Sequence, residues 1–365
     1  MTVFPTSLYE IERKVKEIDP RKYASTRNYK DGQLTYLGPY ISRGVLSTQG
    51  VFKEISSSGL PFSQIEKLVQ ELTWRDFWQR IWCNKKEAIN RFIKQTQAPI
   101  ANYLIPKSIV DGKTGIIAVD QEIVALKDHG YLHNHMRMYV SSIACNVAHS
   151  HWLIPAKWMY SQLLDGDWGS NALSWQWVAG SNSSKKYYAN QDNINTFFFT
   201  QQQDTFIDIP YEEFPNLTIP KILLESQAFI LKSPLPKSEL PEIDPEKKTL
   251  IYNYYNLDPY WHKKEDTNRI LLLEPSIFSE YPINKNCIDF MMLLKNNIPN
   301  IKVFVGEFSE LKAHCNSSEI IYKEHPFNQK YSGTEEAREW LFEAPEEIGS
   351  FFKFWKHGKK QLQFD

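Results

Sequence analysis

The chain has 365 residues, 42% of them hydrophobic and 23% charged, with a formal net charge of −1. That length allows one large domain or two ordinary ones, and the composition excludes a mainly disordered polypeptide. Near-neutrality excludes an overall basic field, so binding to nucleic acid needs a local positive groove.

No apolar run reaches the length of a bilayer span, and Met1–Glu10 lacks the basic start and apolar stretch of a signal peptide. A cytoplasmic protein with no membrane partner is expected. From about Tyr9 to Thr200 the pattern is helical. Ile65-Leu68-Val69-Leu72, Ile123-Leu126 and Met136-Tyr139-Val140-Ile143 repeat at steps of three and four. Gly38-Pro39, Gly59-Leu60-Pro61 and Asp111-Gly112 punctuate this stretch as turns. Prolines then accumulate, and those from Pro234 to Pro245 have few large apolar residues between them, as in a linker. After Lys248 the character changes. Thr249–Tyr252, Ile270–Leu273, Ile301–Val305 and Glu319–Tyr322 read as short strands, and Asn286–Asn296 as a helix between two of them. Strand, helix, strand predicts a parallel α/β layer. The expected fold is mainly α, with a helical domain over 1–235, a Pro-rich linker over 236–248 and a smaller α/β domain over 249–365.

Cys83, Cys145, Cys287 and Cys315 include no Cys-x-x-Cys pair, and their spacing suits no zinc site. Reduced thiols and no metal are expected. His133-Asn134-His135 spells a nuclease-like tripeptide, but no second ligand cluster follows it. His149 and His151 diverge on a helix and would make a poor clamp.

Asp165-Gly-Asp-Trp-Gly-Ser-Asn-Ala-Leu-Ser-Trp-Gln-Trp177 packs two carboxylates, an amide and three indoles into about three and a half helical turns. Leu132-His-Asn-His-Met-Arg-Met138 supplies a cation nearby. Taken alone, Asp165 and Asp167 would suit the first turn of a helix. In Glu71-Leu-Thr-Trp-Arg-Asp-Phe77, Glu71 and Trp74 share one helix face. An indole can stack on an unstacked pyrimidine while a carboxylate bonds its polar edge. The plainer account is an amphipathic helix with Glu71 and Arg75 as an i,i+4 surface pair. Leu34-Thr-Tyr-Leu-Gly-Pro-Tyr-Ile-Ser-Arg-Gly44 offers hydroxyls and backbone N–H groups at a helix start, where a pyrophosphate can bind.

Together these stretches resemble the flavin-binding core of the DNA photolyase/cryptochrome family, over about Tyr9 to Leu240. The resemblance implies FAD as cofactor. It implies that Arg137 and Asp165 pair beside the flavin, that Asp167 bonds the ring system and that Asn171 faces N5. A cation held near a flavin favours its reduced anion. It further implies Tyr23, Thr35, Leu37, Gly38, Arg75 and Asn134 as cofactor contacts, and Glu71, Trp74, Asn134, Met138 and Trp177 as walls of a substrate pocket. Trp175 becomes the electron donor to the photoexcited flavin and Trp152 the second carrier. No tryptophan stands at the third place, where Tyr103 or Trp158 could substitute. Leu34 and Gly38 replace hydroxyl residues of the family's phosphate loop, and His135 stands where photolyases usually carry arginine.

The expected activity is that of a deoxyribodipyrimidine photolyase-like lyase. It would repair cyclobutane pyrimidine dimers in damaged DNA under blue light by electron transfer, with Trp175, Trp152, Glu71 and Asn171 carrying the chemistry. The alternatives are a cryptochrome-like photoreceptor signalling to a protein partner, and a DNA-binding scaffold with a dead pocket. The α/β part looks similar to the antenna domain that usually begins these proteins, relocated behind the helical one.

Overall fold

The structure is a computed structural model describing residues 4–315 and 318–363. It divides into two compact units. The first draws on the stretches up to Ala24, Thr35–Asn84 and from Lys232 onward; the second on Ser25–Leu34 and Lys85–Leu231.

The first unit joins N-terminal helices to the α/β layer. Its longest helix, Phe62–Lys85, buries Ile65, Leu68, Val69 and Leu72, the residues whose spacing predicts it. Five strands form the layer: β3 (Thr249–Tyr252), β4 (Asn268–Leu273), β5 (Lys302–Val305), β6 (Ile320–Lys323) and β7 (Thr334–Glu336). They lie in the order β5-β4-β3-β6-β7, every neighbour parallel. β3 is buried along its whole length and β4 almost so. Strands covered on both faces must be apolar throughout, which explains why these two read as unbroken runs rather than alternations. Ile251, Ile270, Leu272, Phe304, Leu311 and Tyr322 centre the core of this layer. The helix Lys285–Leu294 lies between β4 and β5, close to its expected bounds. β7 has no apolar pattern to announce it. Thr334-Glu335-Glu336 is polar and largely exposed, as an edge strand can be. Residues 228–244 form neither helix nor strand. They are anchored nonetheless: Ile243 packs on the sheet core, and Ile283 N–H donates to Ser233 Oγ at 2.9 Å.

The second unit is helical. Its main helices are Ile117–His129, Asn134–Ser142, Leu153–Gln162, Trp168–Val178 and Gln191–Phe198. Asn134–Ser142 runs on into a π-helical turn, Ile143–Val147, all of it buried. Trp168–Val178 buries most of its circumference, Trp168, Leu173, Trp175 and Val178 included, as a core helix does. A small antiparallel ladder, β1 (Ile105–Pro106) with β2 (Ser226–Gln227), ties the end of the Lys85–Leu231 stretch back to its early part. Among the described residues no helix is long and apolar enough to cross a membrane. The four cysteines are free thiols, Cys145, Cys287 and Cys315 buried and Cys83 half-buried.

Candidate flavin site

In the helical unit the site starts from a helix cap. Asp167 is extended, at φ −122° and ψ 116°, and its carboxylate accepts from Ser170 N at 2.7 Å, which opens the helix Trp168–Val178. Asp165 lies just outside that cap, with only 7% of its side chain exposed. Arg137 Nη2 donates to both of its oxygens, at 3.0 and 2.9 Å. Arg137 Nε donates to Leu132 O at 2.8 Å, so the guanidinium is held on two sides. Its Nη1 makes no hydrogen bond among the described residues, and 24% of the side chain stays exposed. Asn171 sits one turn into the helix. Its Nδ2 donates to Ala156 O at 2.8 Å, and its Oδ1 accepts nothing among the described residues. A fixed cation with a spare donor and an amide with a spare acceptor suit the polar edge of an isoalloxazine ring.

The histidines of this segment do not compete as cations. Burial, with His135 and Arg137 adding to it, pushes the His133 imidazole down to about 4. Burial also lowers His135. Asn134 is exposed and Met138 half-buried, four residues apart on one helix face.

Trp152 and Trp175 are buried, and neither indole N–H has a hydrogen-bond partner among the described residues. Trp177 keeps 39% exposure and tilts against Tyr187, ring centroids 6.1 Å apart. The two candidates for an outer carrier differ sharply. Trp158 is buried, whereas Tyr103 is 65% exposed. Tyr103 stacks on His151 at 4.9 Å, and His151 stacks on Trp152 at 5.9 Å.

In the first unit, Glu71, Trp74 and Arg75 project from the long helix Phe62–Lys85. Glu71 pairs with Lys67 at 3.0 Å, not with Arg75. Arg75 Nη1 donates to Ser42 Oγ at 2.6 Å and so ties the long helix to the Gly38–Ser42 turn. Ahead of that turn Leu37 is buried, and its N–H reaches Thr35 Oγ1 at 3.4 Å. Gly38, with Pro39 behind it, opens a short helix where the sequence marks a bare turn. Tyr23 is half-buried in the helix Pro20–Thr26. Two residues that sequence reasoning passed over stand out here. Phe351 lies flat against Trp74, centroids 3.4 Å apart and planes 6° apart. Asp76 is buried and accepts from Thr48 Oγ1 at 2.9 Å and Leu341 N at 2.7 Å. Burial raises its pKa despite these two donors. Each has a partner more than roughly 250 residues away in sequence, Trp74 for Phe351 and Leu341 for Asp76, which no local pattern reveals.

A helix cap followed by a carboxylate–guanidinium pair, a spare amide acceptor and buried indoles is a set of groups in a helical domain that suits a flavin ring. Residues 68–208 match the FAD-binding domain of DNA photolyase. This part of the chain is similar to the photolyase/cryptochrome family, and FAD is the cofactor that the matched domain binds. The deoxyribodipyrimidine photo-lyase of Vibrio cholerae is 27% identical over 53% of this chain and 41% of its own length. That of Thermus thermophilus is 31% identical over 44% of this chain and 38% of its own. The chain thus matches less than half the length of these relatives. Among solved structures, a Synechocystis cryptochrome aligns over 54% of this chain and 44% of its own, at 22% identity and a TM-score of 0.47.

Proposed function

We propose that this protein is a light-driven, FAD-dependent enzyme of the photolyase type that repairs cyclobutane pyrimidine dimers in DNA. When bound, reduced FAD would supply the electron that splits the dimer. The observation that carries the reading is the Arg137–Asp165 pair, a cation fixed by a buried carboxylate with one donor left over. In this reading Arg137 and Asp165 hold the flavin's electronic state, while Asp167 and Asn171 orient the ring. Arg75, Tyr23, Asn134 and the Thr35–Gly38 turn bind the rest of the cofactor.

Glu71, Trp74, Asn134, Met138 and Trp177 take the dimer. Half-exposed Trp177 is supported as a stacking wall by its free surface. Trp175 and Trp152 carry electrons inward from the surface. Tyr103 is the outer carrier, supported by its exposure and by its stack through His151 onto Trp152. On losing an electron the Tyr103 phenol gives its proton to solvent. The α/β layer is an antenna-type layer placed after the helical domain, and its all-parallel strand order supports that view.

The test is a pair of measurements on one preparation. An absorption spectrum should show bound flavin near roughly 450 nm, and blue light should then restore a dimer-containing oligonucleotide. Flavin photoreduction without repair would replace this reading with that of a photoreceptor. A colourless protein that takes up no FAD would end both.

A further inference from the structure

The C-terminal stretch from Arg338 to Leu362 runs along the long helix Phe62–Lys85 as a strap, fastened at several points. Arg338 Nη1 donates to Gln79 Oε1 at 2.7 Å, and Leu341 N–H donates to the buried Asp76 carboxylate at 2.7 Å. Arg80 Nη2 donates to Phe342 O at 2.8 Å, and Lys359 Nζ pairs with Glu66 at 2.5 Å. The closing helix, Phe351–Leu362, turns Phe351, Phe354, Trp355 and Leu362 inward. Phe342 lies so close to this helix that a Cβ at Gly358 would fall 2.2 Å from its ring, so the glycine makes the seat possible.

Midway along its length the strap meets Trp74. Phe351 covers one face of the indole in a parallel stack. It also meets Phe77 edge-on, centroids 5.6 Å apart and planes 81° apart. Phe351 therefore approaches Trp74 from the Phe77 side of the helix. At about 100° per residue, Glu71 lies on the opposite side of Trp74 from Phe77. Trp78 and Phe77 touch the indole only in tilted or T-shaped contacts. Trp74 nevertheless remains only half-buried. An aromatic ring has two faces; Phe351 covers one, and Trp78, which the same rotation puts on the Glu71 side, covers the other only in part, since the residue stays half-buried.

We propose that Phe351 is a positioning residue for the lesion pocket, backing the Trp74 indole so that its second face is held ready for a pyrimidine base beside the Glu71 carboxylate. This rests on the photolyase reading above and gives the C-terminal region a part in that reaction. A ring clamped on one side has no rotamer freedom to lose when a base stacks on the other. Removing the clamp costs affinity for the lesion and leaves the electron-transfer step untouched.

The experiment uses the full chain loaded with FAD. Binding of a dimer-containing oligonucleotide, binding of its undamaged counterpart and the KM and kcat of repair are measured for the wild type, F351A, F351L and F351Y. F351A should weaken lesion binding and raise KM by about 3- to 10-fold, a part of the worth of one base–aromatic stack, with kcat unchanged. Affinity for undamaged DNA should stay as it was. F351Y, which keeps a flat ring, should restore KM, and F351L, which fills the space without one, should not. If F351A fails to fold, F351L carries the same test. Unchanged lesion binding in both F351A and F351L, with a wild type that repairs, overturns the proposal and leaves the photolyase reading standing. Tighter lesion binding also overturns it, because Phe351 would then be a plug over the stacking face. A wild type that holds FAD yet neither binds nor repairs the lesion sinks the photolyase reading and this proposal with it.

Discussion

Replacing Asp165 by alanine tests the centre of the flavin site. The carboxylate is 7% exposed and takes both its contacts to Arg137 from one nitrogen, Nη2. Breaking a fully buried ion pair by removing one partner costs about 3–5 kcal/mol, because the other charge is stranded. Arg137 keeps 24% exposure and its bond to Leu132 O, so water can recover part of that loss. The expected cost is about 2–3 kcal/mol, the lower end of that range or just below it. If FAD binds only the arrangement in which Arg137 is held, the same energy appears as a roughly 30- to 150-fold loss of cofactor affinity. Two measurements check this: the denaturant midpoint of the apoprotein, and the ratio of flavin to protein absorbance after reconstitution. Asp165→Asn, which keeps an acceptor without the charge, should fall between wild type and Asp165→Ala in both. An Asp165→Ala protein with full flavin content and an unmoved midpoint would refute the pairing argument.

Three further outcomes are expected. Stability should fall as pH drops from about 6.5 towards 4, because His133 is buried neutral with its pKa lowered to about 4. A depressed folded-state pKa gives stability that is complete above the unfolded value and lost through the folded one. The effect is at most roughly 3 kcal/mol, and His133→Asn, which keeps a helix-capping acceptor, should flatten it in denaturation at stepped pH. Trp177→Ala should keep the flavin colour and weaken lesion binding by about 1–3 kcal/mol, read by titration with a dimer-containing oligonucleotide. Tyr103→Phe should leave flavin content unchanged and shorten the charge-separated state seen by transient absorption; an unaltered lifetime would take Tyr103 out of the relay.

Local signals were strong in two places. The run from Asp165 to Trp177 could be recognised because a cap and indoles are packed into one short segment; that Arg137 donates to Asp165 is seen only in the fold. β3 and the helix Lys285–Leu294 were legible because buried elements are apolar along their length. β7 was not, since an exposed edge strand needs no apolar residues. Asp76 reads as an ordinary surface acid in Trp74-Arg-Asp-Phe77, yet it is buried by a strap some 260 residues away in sequence, through Leu341.

What the linear order of residues decided by itself is the helical character of this part and the close spacing of its cap, cation and indoles, because caps and helix faces act over a few residues. What only tertiary structure decided is who shares each site. Phe351 on Trp74, His151 between Tyr103 and Trp152, and Leu341 on Asp76 are pairings across long stretches of chain. Burial selects them and spacing does not encode them, because a side chain cannot announce a partner it meets only after the chain has closed on itself.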